Sequence, residues 1–241
     1  MKKILLCVLL IFFTKINAQN NEILVQNLNG TSFDLNKLIG GEKNQPVIFF
    51  TWAKSWCWPC VKALDEFNKN FTELQNKHNL KIVALNLDSK YSRQEIKEFA
   101  QERGWNFDVY VDTNKNYITA TNTTNAPITF LIFNGKIIKK LNGFTDGIAK
   151  PESTANFFIE ITTGLFSNVI YFDKDWKNTT KKFATYVRYK DKIGDKYEVT
   201  DRWITGEIQM RGSYTDLHCT IRTGEFKWYN KDGTISSSET F

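Results

Sequence analysis

Four cysteines occur in the 241 residues, and two of them, Cys57 and Cys60, stand three positions apart in Trp56-Cys57-Trp58-Pro59-Cys60. An apolar run, Val47-Ile48-Phe49-Phe50-Thr51-Trp52, precedes the pair, and Val61, Ala63, Leu64 and Phe67 follow it at three- and four-residue spacing. This pattern predicts a buried strand, a tight turn carrying two thiols, and an amphipathic helix. The first sulfur then sits at a helix N-terminus, where unpaired backbone N–H groups and the helix dipole stabilise a thiolate. The second returns beneath it within the first turn, an arrangement that invites reversible disulfide chemistry. Two other readings compete. A structural bridge would close so small a loop that it constrains the unfolded chain little. Half of a zinc site would need His218 and Cys219, which are adjacent and far along the chain.

Other residues carry weaker signals. Trp56 and Trp58 can form an apolar platform for partner peptides, with packing of Trp56 under the loop as the structural alternative. Lys54 and Lys62 flank the thiols, either lowering the Cys57 pKa or lying as solvated surface charges. His78, late in the predicted helix, reads as a charge favoured by the negative helix end. Cys219 reads as a buried or weakly reactive free thiol, with a third redox partner or an intermolecular bridge as alternatives. No metal site and no cofactor are expected.

The N-terminus resembles an export signal. Lys2 and Lys3 precede the apolar run Ile4 to Phe13, and Ile16-Asn17-Ala18 offers a cleavage site before Gln19. The apolar run is short for a membrane span, although an uncleaved anchor is the alternative. Cys7 would be lost with the leader, leaving Cys57, Cys60 and Cys219 in a compartment where disulfides persist. The formal net charge of +6 falls to about +3 without Lys2, Lys3 and Lys15. No dense Lys/Arg cluster remains, so nucleic-acid binding is not expected. With 41% hydrophobic and 15% aromatic residues, the chain has ample material for a core.

The elements that would position the thiols can be taken in order. Residues 22–38 read as strand, turn and strand, with Asn29-Gly30 as the hairpin dipeptide. The helix after Cys57 extends to about His78, and Lys81 to Asp88 is another interior strand. Ser92 and Glu95 form a capping box that opens a helix ending near Gly104. Phe107 to Val111 is a strand. Pro127 opens the apolar run Ile128 to Phe133, at a position where cis peptides are often used, and Asn134-Gly135 leads to a partner strand ending at Leu141. A last helix opens at Pro151 and ends at Gly164. After about residue 165 helical periodicity gives way to short alternating segments. Strands are expected over Tyr197–Val199, Trp203–Gly206, Glu207–Gly212 and Gly224–Tyr229, with Asp232-Gly233 as a turn. The expected organisation is a leader over 1–18, an α/β unit over 19–165 and an antiparallel β module over 166–241.

Residues 22–165 resemble the exported TlpA/ResA-like thiol-disulfide oxidoreductases of the thioredoxin fold. The resemblance rests on Gly30-Thr31-Ser32-Phe33-Asp34-Leu35, the strand into Trp56-Cys57-Trp58-Pro59-Cys60, the strand Ile82 to Asp88, and Ala126-Pro127-Ile128-Thr129-Phe130. It implies a central mixed sheet flanked by helices. It also implies that Cys57 attacks and Cys60 resolves, forming a redox Cys57–Cys60 disulfide. Pro127 would be a cis-proline against the site, and Ala126 would offer backbone hydrogen bonds to substrate, alongside contacts from Trp56, Trp58 and Pro59. The chain departs from the pattern at several points. Trp58 replaces a small glycine, the lead-in Thr51 to Trp56 is one residue longer, Asp65 stands where a helix proline is usual, and strand 47–52 lacks a buried acid. That leaves the proton acceptor for Cys60 unassigned, with Asp88 as a weak candidate. The C-terminal stretch resembles MORN-like repeats, with units at Ile204 to Tyr214 and Gly224 to Gly233.

Together these observations predict an exported, periplasmic protein-disulfide reductase acting in redox homeostasis. Its partners would be disulfide-bearing proteins and a membrane electron donor. Proline before Cys60 and the absence of histidine between the thiols favour the reducing direction. The alternative is an envelope scaffold that uses the β module and a thioredoxin-like docking surface.

Overall fold

The computed structural model describes residues 22–144 and 150–241. The leader 1–18, with Cys7 and the cleavage site after Ala18, lies outside them. Two seven-stranded sheets are built in succession along the chain. The first contains β1 (Leu24–Asn27), β2 (Ser32–Asp34), β3 (Pro46–Trp52), β4 (Lys81–Asn86), β5 (Asp108–Val111), β6 (Ile128–Phe133) and β7 (Lys136–Asn142). Their order is β2-β1-β5-β4-β3-β6-β7. β3, β4 and β5 run parallel, whereas β6, β7, β1 and β2 pair antiparallel. Helices α1 (Leu35–Gly40), α2 (Trp58–His78), α3 (Arg93–Glu102), α4 (Asn116–Thr121) and α5 (Pro151–Leu165) complete this unit. It is the thioredoxin-like architecture that the resemblance implied.

Strand β3 is central because it is buried along its whole length. Its alternating side chains feed two cores. Ile48, Phe50 and Trp52 pack with α2, α3 and α5 on one face, and Val47 and Phe49 pack with Leu35, Leu38 and Tyr117 of α1 and α4 on the other. A strand covered on both faces reads as a continuous apolar run, which is why it stood out in the sequence. Helix α3 begins with the expected capping box, Ser92 and Glu95 satisfying each other's backbone N–H groups. Two short helices were not expected. The strand reading through Leu35 ends instead at Asp34, whose carboxylate accepts from Asn36 N at 3.0 Å and caps α1. Asp112 does similar work for α4, accepting from Tyr117 N at 3.0 Å and Ile118 N at 3.2 Å. Six-residue helices are too short for periodicity to reveal.

The second sheet is an antiparallel array of β8 (Val169–Phe172), β9 (Asn178–Thr179), β10 (Tyr186–Ile193), β11 (Lys196–Trp203), β12 (Ile208–Tyr214), β13 (Arg222–Tyr229) and β14 (Ile235–Thr240). The strand expected over Trp203–Gly206 is a turn that closes with Gly206 N donating to Trp203 O at 2.8 Å. The segments forming β8, β9, β10 and β14 went unread, because they lack a clean alternation of apolar and polar residues. Phe226 is the centre of this sheet's core, meeting Tyr214, Trp228 and Phe241 ring to ring. Its ring lies directly over Gly212, where an added Cβ would stand 2.4 Å from ring carbons.

The two sheets meet through the turn between β12 and β13. Asp216 organises it by accepting from His218 N, Thr220 N and Ile221 N. The turn places the His218 ring 4.6 Å from Phe133 and 6.3 Å from Phe166, and Phe166 stacks on His78 at 4.4 Å. The chain's two histidines therefore share one aromatic contact. His78 lies in the last turn of α2, half-buried against Phe166. Burial, with Lys77 nearby, pushes its pKa down against the opposing pull of Glu73. Burial likewise lowers His218, with Lys190 adding to the effect and Asp216 opposing it. Lys139 adds an ion pair across the junction, its Nζ 3.4 Å from Asp173 Oδ2.

Two outcomes follow for stability. A histidine whose pKa is depressed on folding takes up protons more readily when unfolded, so its contribution is present above about pH 6.5 and is lost as pH falls through the folded value. Unfolding free energy should therefore decline from pH 7 to pH 5 in urea titrations, and His218→Gln should flatten that decline. Asp88 and Asp216, both held below their ordinary range, enter only at lower pH. Gly212→Ala should cost about 1–3 kcal/mol through overpacking against Phe226, measured by chemical denaturation.

Candidate functional site

The site begins where β3 ends. Leu87 N donates to Trp52 O at 2.8 Å, so the strand end is tied to the segment after β4. The longer lead-in, Ala53 to Trp56, then turns over a second anchor. Asp88 accepts from Ser55 N at 2.6 Å and from Lys90 N at 2.9 Å. Burial opposes the charge on Asp88, yet the Ser55 hydroxyl and these backbone donors outweigh it and hold the carboxyl below its usual range. A low, fully engaged carboxylate is a poor proton acceptor. Asp88 therefore fits the role of a loop anchor, in place of the proton-acceptor role considered for Cys60. Lys54 leaves this loop to lie 4.2 Å from the Tyr91 ring centroid and 4.9 Å from that of Phe99.

Cys57 is the N-cap of α2, with Pro59 inside the first turn. Proline suits that place because its missing N–H is one the helix start leaves unpaired. Cys57 N donates to Ala53 O at 3.2 Å, and Cys60 N donates to Cys57 O at 2.9 Å. The two cysteines form a disulfide with Cα atoms 5.2 Å apart. Cys60 is fully buried, whereas Cys57 keeps 5% exposure, so Cys57 is the sulfur a partner can approach.

A second segment comes to Cys57 from β6. The Ala126–Pro127 bond is cis, and Ala126 O lies 3.7 Å from Cys57 Sγ. Pro127 cannot donate to the sheet ladder, and the residues around it are held by other means. Ile128 N donates to the buried Thr51 Oγ1 at 2.7 Å, and Gly143 N donates to Pro127 O at 2.7 Å. The structure thus brings Cys57, Cys60, Pro59, Ala126 and Pro127 to one point. Trp56 and Trp58 flank it, each 52% exposed, so Trp56 does not pack under the loop.

Beneath this surface lies a set of contacts that sequence reasoning missed. Asp65, on the second turn of α2, accepts from Arg103 Nε at 2.7 Å, from Arg103 Nη2, and from Trp105 Nε1 at 2.9 Å. Its hydrogen bonds, above all, raise the Arg103 pKa. The only available signal was an acid where a helix proline is usual. Strand β3 carries no acid, as read, and Phe50 is fully buried there.

Cys219, by contrast, is far from the site. It is a free, half-buried thiol whose pKa is raised by burial, against the opposing charges of Arg188 and Lys190. It shares the Leu217 carbonyl with Lys190, whose Nζ donates at 3.0 Å. No group of three or more His, Cys, Asp or Glu among the described residues is placed to hold a metal ion. Among the described residues, no helix is long and apolar enough to cross a membrane.

Comparison with known proteins bears on this geometry. A family model described as the AhpC/TSA family matches residues 16–141. The thiol-disulfide oxidoreductase ResA of Bacillus subtilis is 27% identical over 121 residues, covering 50% of this chain and 63% of that protein. The sporulation thiol-disulfide oxidoreductase A of the same organism is 29% identical over 105 residues, covering 41% and 62%. The chain thus spans less than two thirds of the length of these two relatives. The crystal structure of StoA from Bacillus subtilis aligns with 57% of this chain and 95% of its own, at 23% identity and a TM-score of 0.42. With a family match across just over half of its length, the chain belongs to the AhpC/TSA family.

Proposed function

We propose that the protein is an exported thiol-disulfide oxidoreductase that reduces disulfides of client proteins through Cys57 and Cys60. The observation that carries this reading is Cys57 at the N-cap of α2, bonded to a buried Cys60 and 3.7 Å from the Ala126 carbonyl. In the reduced protein the helix N-terminus favours a Cys57 thiolate. That thiolate attacks one sulfur of a client disulfide, the client S–S bond breaks, and the client's second sulfur leaves as a thiolate. Cys60, deprotonated, then attacks Cys57 Sγ. The mixed disulfide breaks, the Cys57–Cys60 bond forms, and the client's first sulfur leaves as a second thiolate. Two electrons pass to the client, and its two thiolates take up protons from solvent. A dithiol donor on the membrane side must then return two electrons to the disulfide seen in this structure.

Related enzymes bearing the name thiol-disulfide oxidoreductase support the chemistry. Export, with cleavage after Ala18 into the periplasm or its equivalent, rests on the N-terminal pattern alone. In this reading residues 19–165 carry the exchange site, and 166–241 form a MORN-like module docked beside it. Trp56, Trp58, Pro59, Ala126 and Pro127 supply the client-binding surface.

Cys57→Ser should abolish disulfide reduction, and Cys60→Ala should accumulate a mixed disulfide visible on non-reducing gels and identifiable by mass spectrometry. Full cellular function in Cys57→Ser would favour the scaffold alternative. Equilibration with glutathione should place the potential nearer about −270 mV than about −120 mV. A value above about −150 mV would reverse the assigned direction.

A further inference from the structure

The Asp65 cluster does more than join α2 to the segment after α3. The carboxylate holds Arg103 through two parallel donors, a geometry that fixes the guanidinium plane. The guanidinium carbon lies over Trp58, 5.4 Å from the ring centroid, and over Phe99, at 5.7 Å. Phe99 is itself backed by Trp52 at 6.1 Å and Trp105 at 5.8 Å. Trp58 is the residue between the two thiols, and half of its surface is open to solvent. Left alone, an exposed tryptophan on the first turn of a helix would sample several rotamers. Here a cation that is neither free nor mobile lies against it, supported by a buried aromatic layer.

We propose that Arg103 is a positioning residue for client selection. Held by Asp65, it fixes the Trp58 ring beside Cys57, so that the site prefers disulfides whose neighbouring residue is apolar. The proposal rests on the thiol-disulfide reading above. The chemistry of the preference follows from the pairing. Asp65 neutralises Arg103, and the side chains are 28% and 27% exposed, so what the site presents next to Cys57 is an aromatic surface more than a charge. An apolar side chain buried against Trp58 gains from removal from water, whereas a serine there does not. Lysine could not replace Arg103, because it lacks both the fork and the planar face.

The test uses the pre-reduced full chain in single-turnover reactions with three probes. Two are cystine-bridged peptides carrying Leu or Ser beside the reactive cystine. The third is hydroxyethyl disulfide, which carries no peptide side chain to pack on Trp58. Wild type should favour the Leu peptide over the Ser peptide by about tenfold. Trp58→Ala should remove most of that preference. Arg103→Ala and Arg103→Lys should each reduce it by about fivefold. Asp65→Asn, which preserves shape while weakening the clamp, serves as the variant least prone to misfolding and should fall between wild type and Arg103→Ala. In a Trp58→Ala background, Arg103→Ala should change nothing further. The hydroxyethyl disulfide rate and the Cys57–Cys60 potential should stay constant in the Arg103 and Asp65 variants. Equal slowing of all three probes by Arg103→Ala, or a further loss in the double variant, would overturn the proposal. A wild-type protein inert toward every disulfide would instead overturn the thiol-disulfide reading itself.

Discussion

Everything at this site depends on a 3.7 Å approach between Cys57 Sγ and the carbonyl of Ala126, two groups 69 positions apart in the chain. Neither belongs to a regular element's interior. One is the cap of a helix and the other precedes a cis-proline, so their separation is set by what holds the ends of β3 and β6. The antiparallel β3–β6 register ends at Phe50 and Thr129. Beyond it, the Thr51 hydroxyl replaces the missing ladder partner and takes Ile128 N. One buried side-chain oxygen thus continues the sheet to the edge of the redox site, where an unpaired buried amide would cost about 1–3 kcal/mol.

A second support lies on the opposite side of the thiols. Asp88, just after β4, secures the lead-in to Cys57 by accepting from Ser55 N. Asp65, on α2, secures Arg103 and Trp105 beyond α3. Both carboxylates act as acceptors for fixed donors. The exposed Trp56 and Trp58 give the site an aromatic rim, and Arg103 beside Trp58 is held by charge-assisted hydrogen bonds to Asp65.

The second sheet builds its own core around Phe226. It is tied to the first unit by the His218 turn, which adds a ring to the Phe133, Phe166 and His78 contact, and by the Lys139–Asp173 ion pair. Within the sheet, buried charges are paired or hydrogen-bonded as burial requires. Arg188 and Asp201 form a two-point pair at 2.7 Å, and Lys190 donates to Leu217 O. The close approach of Phe226 to Gly212 explains one glycine of the glycine-aromatic pattern in physical terms.

What could be read directly from the chain were features written locally. The run Val47 to Trp52 declared a doubly covered strand, Ser92 and Glu95 declared a helix start, and the Cys57–Cys60 spacing declared thiols on a helix turn. The tract around Pro127 added the second segment of the site by resemblance. Short helices, the strands between residues 169 and 193, and the role of Asp65 were not legible. Each depends on partners distant in sequence, and a lone Asp or a six-residue run carries no period. The amino-acid sequence by itself determined which two cysteines lie together on a helix turn and which strand delivers them. Only the tertiary structure decided how Trp58 is held, that Asp88 anchors a loop, and that both half-buried histidines meet Phe166. Those outcomes arise from burial and from hydrogen bonds between elements, which no local pattern encodes.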